Sequence, residues 1–299
     1  MKNNSCYIIN FWLGERRYGD SKHNEDIFYF LKKQIECLQN YKHNLTKIIF
    51  NFNIIPEHYS YIPYIFELVP KHIQGVEIEI NFRENVGISY GAWSDNFAKY
   101  KNEYDYFIFN EDDYFFIQNN WDSYLVNKFN SYDDCGYLCM FVHEPQEWNN
   151  FRKHAGSSVG IASTESLNKV FSKFGKLPSN SHPIDSTPEK LKVALGEYEN
   201  TSQVQIDFGF AFLEAGFNIY DVRDDYCILF QKHFPGDKTI PAAKFFEWNS
   251  SFLNVAPFYF EPKYWYWSSY DPEFTKSHKP SSYKEAINFY NNKIPYYNV

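Results

Sequence analysis

Residues 81–116 read NFRENVGISYGAWSDNFAKYKNEYDYFIFNEDDYFF, and the order of patterns within this stretch decides the fold. A strand-like run leads into a polar turn at 83–87, and an apolar stripe at helical spacing follows at 93–100. An aromatic strand at 104–110 then ends in the acids of 111–113. Ligands of open α/β sheets bind outside the carboxyl ends of the strands. The stretch therefore predicts that a strand delivers carboxylates to the ligand-binding edge of a sheet.

The same alternation of β-rich runs and helical periods extends along most of the chain. Strands are predicted at 6–13, 46–53, 76–82, 104–110 and 135–142. Helical periods occur at 27–38, 93–100, 164–174 and 203–215, with Ser163 or Thr164 as the N-cap of the third and Gly175 ending it. This pattern predicts an α/β domain with a mostly parallel central sheet flanked by helices.

Composition divides the chain and limits its partners. The pattern becomes irregular and very aromatic after about residue 240, which predicts a domain at 1–235 and an extension at 236–299 packed on it. The 29 basic and 37 acidic residues give a net charge of −8, which disfavours binding to nucleic acid because such binding needs clustered cations. Five cysteines without metal-ligand spacing, and no apolar run of about 18 residues, predict a cytoplasmic protein without a transmembrane segment.

The three consecutive acids, Glu111, Asp112 and Asp113, carry the chemical prediction. Carboxylate oxygens suit Mg²⁺ or Mn²⁺, which commonly bind through few protein ligands and complete their shell with substrate phosphates and water. The alternative interpretation is a solvated acidic turn.

The turn, the helix and the acidic strand end together resemble glycosyltransferases of the GT-A fold, a Rossmann-like fold, and particularly the family 2-like nucleotide-sugar enzymes. In that family a turn resembling Arg83-x-Asn85-x-Gly87 precedes a helix, and a strand then delivers a DxD-type metal motif. The resemblance implies that Asp113 binds Mn²⁺ or Mg²⁺, with Glu111 as a further ligand in place of the usual aspartate. It also implies that Glu111 and Asp112 face the ribose, the sugar or metal-bound water.

The resemblance continues at 204–222, which looks like the family's acidic helix and the strand after it. Asp207 would then be the general base that removes the acceptor hydroxyl proton. The alternative is a carboxylate near a helix N-terminus, favoured there by the macrodipole. The later segment 226–238 supplies His233 as a candidate third metal ligand, and Lys232 to offset the diphosphate charge.

The nucleotide side of the predicted site lies at the end of the first strand. The resemblance places Asn10, Phe11 and Trp12 beside the nucleobase, and Phe11 or Trp12 would stack on it. Core packing is the alternative for both aromatic rings. An acidic residue is usual in the family at the end of the second strand, where this chain has Asn51 and Asn53. Arg83 and Asn85 complete the predicted donor contacts.

These expectations describe a metal-dependent glycosyltransferase. It would move a sugar from a nucleoside diphosphate sugar to a hydroxyl of a glycan acceptor, with inversion at the anomeric carbon. Two alternatives stay open at this point: a retaining transferase on the same fold, and a glycan-binding module that has the fold without turnover.

Overall fold

The computed structural model describes residues 4–14, 26–116, 118–139, 142–143, 153–155, 159–182, 184, 199–222, 230–234 and 238–241. These residues form an eight-stranded sheet, a three-stranded sheet and a two-stranded pair. Nearly all of the extension expected at 236–299 lies outside the described residues.

The described elements are named here in chain order. The strands are β1 (Ser5–Trp12), β2 (Lys47–Ile54), β3 (His72–Ile73), β4 (Val76–Glu84), β5 (Tyr106–Glu111), β6 (Tyr114–Phe116), β7 (Cys135–Cys139), β8 (Val142–His143), β9 (His154–Ala155), β10 (Gly160–Ser163), β11 (Asn218–Asp221), β12 (Phe230–Phe234) and β13 (Lys238–Pro241). The helices are α1 (Tyr29–Asn40), α2 (Ile62–Leu68), α3 (Ile88–Tyr100), α4 (Trp121–Phe129), α5 (Thr164–Phe174) and α6 (Glu199–Glu214). A 3-10 helix at Pro56–Tyr61 joins β2 to α2. In the part of the chain that the structure describes, no helix has the length and apolar character of a membrane span.

The main sheet contains a point where the direction of strand addition reverses. Its order is β11-β7-β10-β5-β1-β2-β4-β3, and β1 pairs in parallel with both β2 and β5. The chain adds β2 and β4 on one side of β1, and then crosses back to place β5 on the other side. In such sheets the connections leave a crevice at the carboxyl ends of the two strands at the reversal. The crevice in this fold therefore lies at the ends of β1 and β5.

Helices cover both faces of the main sheet and enclose two aromatic-rich cores. From β1, Tyr7, Ile9 and Phe11 pack with residues of α1, α2 and α4 on what we call the α1 face. Cys6 and Ile8 alternate with them and pack with residues of α3, α5 and α6 on the α3 face. This period of two is the property of a strand that is buried on both sides.

The predicted fold class is confirmed. All five predicted strands are present within a few residues of their expected bounds, and the central sheet is mostly parallel with helices on both faces. The third predicted helix has Ser163 as its N-cap, whose Oγ accepts from the backbone N–H of Ser166 at 3.1 Å, and it ends at Gly175 with a φ of 80°.

One central strand was missed. The sequence at 156–166 predicts only a capped helix start, yet β10 lies between β5 and β7 and runs antiparallel to both. Gly160 has low β-propensity, which conceals the strand in the sequence. The glycine is required because a Cβ at this position would lie 2.5 Å from the carbonyl oxygen of Leu138 in β7.

A cluster of charged side chains on the α3 face ties β4 to its neighbours. Oε1 of Glu79 accepts from Lys99 Nζ at 2.7 Å and from the hydroxyl of Tyr100, while Oε2 lies 3.3 Å from Lys47 Nζ. Partial burial disfavours ionisation of this carboxyl, but the hydrogen bonds from Lys99, Tyr100 and Lys47 outweigh it and lower the pKa of Glu79 to about 2. The carboxyl group of Glu79 therefore stays ionised, and bonded to its partners, down to a pH of about 2.

We expect Glu79→Gln to reduce the free energy of unfolding at neutral pH by about 1 kcal/mol, the size of a partly exposed ion pair. Because the folded pKa of Glu79 lies below the ordinary value of 4.5, its contribution is present above pH 4.5 and is lost as the pH falls toward 2. Urea unfolding across that range measures the effect. Glu36→Gln, which breaks the exposed pair with Lys33, is the control. Parallel pH profiles for the parent and Glu79→Gln would contradict the prediction.

Candidate functional site

The acidic run lies in the crevice at the reversal of the sheet. Glu111 is the last residue of β5, and Asp112 and Asp113 form the turn that leads into β6. Asp112 is buried, and its Oδ2 accepts a hydrogen bond from the backbone N–H of Trp12 at 3.1 Å. Since Trp12 is the last residue of β1, this contact joins the carboxyl ends of the two strands that border the crevice.

A glutamine from α1 holds the acidic turn from the α1 side. Gln34 is 1% exposed, and its Nε2 donates to the backbone carbonyls of Asp112 at 2.8 Å and Tyr114 at 2.6 Å. These two carbonyls flank Asp113 in the sequence. Sequence reasoning missed Gln34, and its one signal was a polar residue on the apolar side of a helix.

The side chain of Glu111 lies on the α3 face of the sheet, opposite the side from which Gln34 holds the turn. Its Cα is in register with Asn10, and its side chain lies on the same face of β5 as Phe107 and Phe109, which belong to the core on the α3 face. Burial, the neighbouring Cys139 and the charge of Glu111 all raise the pKa of the Tyr137 hydroxyl on that face. The carboxylates of the acidic run therefore do not all point the same way. That of Glu111 lies on the α3 face, and that of Asp112 faces the backbone of Trp12.

The segment predicted to supply His233 and Lys232 runs beside the acidic turn. Strand β12 pairs antiparallel with β6, and in this register Lys232 lies opposite Tyr114, the residue that follows the turn. His233 is the next residue of the same strand. Only the backbone of this strand is described, so metal ligation by His233 and a diphosphate contact by Lys232 stay predictions.

The donor set at the turn fits a divalent cation of the Mg²⁺ or Mn²⁺ type. Asp113 and Glu111 are each partly exposed and supply hard oxygen ligands. Among the residues whose side chains are described, no group of three or more His, Cys, Asp and Glu converges to hold a metal ion. Such ions are commonly held by one or two carboxylates together with substrate phosphates, so the absence of a full protein cage is compatible with this chemistry.

The two aromatic residues predicted beside a nucleobase have different surroundings. Phe11 is 1% exposed and stacks on Phe52 at 4.9 Å between ring centroids, so its ring belongs to the core, as the alternative interpretation proposed. Trp12 is partly exposed at the strand end, where His58 meets it edge-on at 5.1 Å. A Cβ on Gly14 would lie 2.2 Å from the indole, so the ring lies across the backbone of this glycine.

The polar turn after β4 is held by a tightly bonded arginine. Arg83 donates through Nε to Asp95 at 3.0 Å, through Nη1 to Asn53 at 3.0 Å, and through Nη2 to the carbonyl of Val86 at 2.8 Å. Most of the guanidinium donors that were predicted to contact a nucleotide are thus used to brace the turn. Asn85 is exposed in the same turn, and its Oδ1 accepts from Asn53.

A row of amide side chains, most of them buried, crosses the α3 face of the sheet. Asn10, Asn51 and Asn81 lie side by side at the same register on three parallel strands. Asn51 donates to Asn10 at 2.9 Å, and Asn96 of α3 donates to Asn51 at 3.0 Å and accepts from Asn81 at 2.8 Å. Asn10 also donates to Ser89 at the start of α3. A side-chain amide suits these positions because it donates and accepts without burying a charge.

Asp207 is completely buried within α6. Its Oδ2 accepts from the backbone N–H of Ile184 at 3.1 Å. The helix begins at Glu199, so Asp207 lies in the middle of the helix, and the interpretation as a carboxylate near the helix N-terminus is wrong. The macrodipole acts within the first turn only. Phe208, the next residue, packs against Tyr137. Tyr137 is the residue whose pKa is raised in part by the charge of Glu111.

Comparison with known proteins finds similar chains among solved structures. No family model and no curated protein matches the chain. Among solved structures, S. aureus TarS matches with 8% identity and a TM-score of 0.41, covering 73% of this chain and 35% of TarS. 4-Diphosphocytidyl-2C-methyl-D-erythritol synthase from Anaerococcus prevotii DSM 20548 matches with 8% identity and a TM-score of 0.42, covering 74% and 87%. CMP:2-keto-3-deoxy-manno-octonic acid synthetase complexed with CTP matches with 12% identity and a TM-score of 0.41, covering 73% and 89%. The chain therefore spans about a third of the length of TarS.

We expect Gln34→Leu to loosen the acidic turn. The substitution removes the donor from two backbone carbonyls in a buried position, at a cost of about 1–3 kcal/mol. Amide hydrogen exchange in the peptide covering 111–116 should accelerate by about tenfold or more, since about 1.4 kcal/mol corresponds to a factor of ten. Mass spectrometry of the exchanged peptides measures the change.

Gln74→Leu is the matched control for this prediction. Gln74 also donates through Nε2 to backbone carbonyls, those of Leu38 at 2.8 Å and Tyr41 at 2.9 Å, but it caps the end of α1 on the surface. Its loss should accelerate exchange around 38–41 and leave 111–116 unchanged. Equal exchange at 111–116 in the parent and in Gln34→Leu would show that Gln34 does not hold the turn.

Proposed function

We propose that the chain is a metal-dependent glycosyltransferase of the GT-A type that moves a sugar from a nucleoside diphosphate sugar to a hydroxyl of a glycan acceptor. The observation that carries the proposal is the acidic turn in the crevice between β1 and β5, where Asp112 binds the backbone of Trp12. Acidic turns that serve only solvation have no need of a buried carboxylate tied to the neighbouring strand. The turn also lies where ligands bind in this class of sheet.

Each residue of the crevice has a task in this proposal. Asp113 and Glu111 hold the cation, with His233 as a further ligand. The bound cation supplies Lewis acidity toward the departing diphosphate. Trp12, the partly exposed ring at the end of β1, stacks on the nucleobase, and Asn10, two residues earlier on the same strand, contributes a polar group to the donor side of the site. Lys232, on the strand beside the turn, offsets the charge of the diphosphate.

Proton transfer is assigned to Asp207 in the proposed inverting reaction. The carboxylate takes the proton of the acceptor hydroxyl as that oxygen attacks the anomeric carbon from the side opposite the diphosphate. Because Asp207 is buried and its Oδ2 accepts from the backbone N–H of Ile184, Ile184 must move before an acceptor reaches the carboxylate.

The burial of Asp207 favours two alternative functions. In a retaining transferase on the same fold, Asp207 would support the site without taking a proton, and the anomeric configuration of the product distinguishes this case. In a glycan-binding module without turnover, Asp207 would be purely structural. Donor hydrolysis or transfer that requires Mn²⁺ or Mg²⁺ would exclude the binding module, and oligosaccharide binding unaffected by chelator would support it.

We expect Asp113→Ala to abolish metal-dependent binding of nucleoside diphosphates, because a site with few carboxylate ligands loses most of its affinity with one of them. Titration calorimetry of UDP, GDP, CDP and ADP with Mn²⁺ measures it. Asp133→Ala, which removes an exposed carboxylate from the loop between α4 and β7, is the control. Unchanged nucleotide affinity in Asp113→Ala would count against the metal site.

We expect Asp207→Asn to preserve nucleotide binding and to lower sugar transfer by about 10² or more, the usual range for loss of a general base. The amide oxygen can still accept from the N–H of Ile184, so the fold should be kept. Asp207→Ala removes that acceptor and should also lower the melting temperature, which separates the structural part from proton transfer. Transfer by Asp207→Asn at the parental rate would make Asp207 structural.

A further inference from the structure

Asn53 occupies a central position at the edge of the crevice. It is the penultimate residue of β2, and its Cα is in register with Trp12 on one side and Arg83 on the other. It is 1% exposed, so it does not reach bulk solvent or a ligand directly. Any influence of Asn53 on binding must therefore pass through the residues that it contacts.

The side-chain amide of Asn53 uses both of its ends. Its Oδ1 accepts from Nη1 of Arg83 at 3.0 Å and from Nδ2 of Asn51 at 3.2 Å. Its Nδ2 donates to Oδ1 of Asn85 at 3.2 Å. A carboxylate could accept from Arg83 and Asn51 but could not donate to Asn85. As the three partners are oriented here, a neutral amide satisfies all of them, which gives a physical reason for an asparagine at this strand end.

This contact sets the direction of the Asn85 amide. With Oδ1 turned inward to accept from Asn53, the Nδ2 of Asn85 faces out of the turn. Asn85 is exposed, and its Nδ2 donates to no acceptor among the described residues. The turn itself is fixed because Arg83 also binds Asp95 and the carbonyl of Val86. Gly87, with a φ of 77°, completes it.

We propose that Asn53 is a positioning residue, which fixes Asn85 so that Asn85 Nδ2 donates to an acceptor oxygen of the bound nucleotide. This inference rests on the proposed function, and it adds a contact that depends on hydrogen-bond polarity and not on charge. One neutral hydrogen bond corresponds to about a tenfold change in affinity. The acceptor is an oxygen of the diphosphate, the ribose or the base.

Asn53→Asp is the test substitution, because it keeps the size of the side chain and removes the donor, and the negative charge that it adds is also added by the control variant. Two oxygens would then face each other, and the amide of Asn85 would turn over to present its oxygen to the ligand. Calorimetry with Mn²⁺ and the tightest-binding of UDP, GDP, CDP and ADP should show affinity reduced about tenfold. Asn81→Asp is the matched control, since it puts the same change on the neighbouring strand, where Asn81 contacts Asn96 and not the turn.

A double-mutant cycle shows whether Asn53 acts through Asn85. Asn85→Ala should weaken binding by the same factor as Asn53→Asp, and the double variant should bind no more weakly than either single variant. If the two losses of affinity multiply in the double variant, the two residues act independently and the proposal is overturned. Parental affinity in Asn53→Asp would also overturn it. Inorganic pyrophosphate with Mn²⁺ identifies the acceptor: a similar loss indicates a phosphate oxygen, and no loss indicates the ribose or the base.

Hydrogen exchange provides a readout that needs no ligand. In Asn53→Leu, which removes every hydrogen bond of this side chain, the peptide covering 84–89 should exchange faster than in the parent, whereas Asn81→Leu should leave this peptide unchanged. If the parent binds none of the nucleotides, the proposed function fails, and exchange at 84–89 still decides whether Asn53 holds the turn. Equal exchange at 84–89 in Asn53→Leu and Asn81→Leu would overturn the positioning role in either case.

Discussion

The hydrogen bond from the backbone N–H of Trp12 to the carboxylate of Asp112 is the contact on which the site depends. The crossover connections diverge at the ends of β1 and β5, so the backbone groups there lose their ladder partners. Buried backbone groups need a substitute partner. Asp112 supplies one to β1, and Gln34 donates to the carbonyls on either side of Asp113. The satisfaction of these groups fixes the turn before any ligand is present.

The opposite side of the crevice is held by neutral amides instead of carboxylates. Asn51 and Asn53 lie within a row of side chains that each donate and accept, and Arg83 ties the end of this row to the turn after β4. A carboxylate in the row could accept but could not donate, so it would leave the oxygen of a neighbouring amide without its donor. The negative charge of the crevice is therefore concentrated at 111–113, where a cation would bind.

Features that arise from local sequence patterns were predicted, and features that arise from contacts between distant residues were not. The strands at β1, β2 and β5 were predicted because burial on both faces produces long apolar runs, and the helix at α5 because its cap residues are local signals. β10 was missed because close approach to β7 demands a glycine, which weakens the strand pattern. Phe11 and Trp12 are adjacent aromatic residues, and only their opposite directions from the strand separate a core ring from an exposed one.

The sequence by itself determined the α/β class, the position of the acidic run at a strand end and the turn that precedes α3. These are local properties, set by periodicity, turn residues and the run of carboxylates. Tertiary structure alone decided that Gln34 and Asn53 hold the crevice, that Asp207 is buried in mid-helix, and that β12 runs beside the acidic turn. Hydrogen bonds between residues far apart in the chain leave no periodic trace in the sequence, since any polar residue within reach can satisfy a buried group.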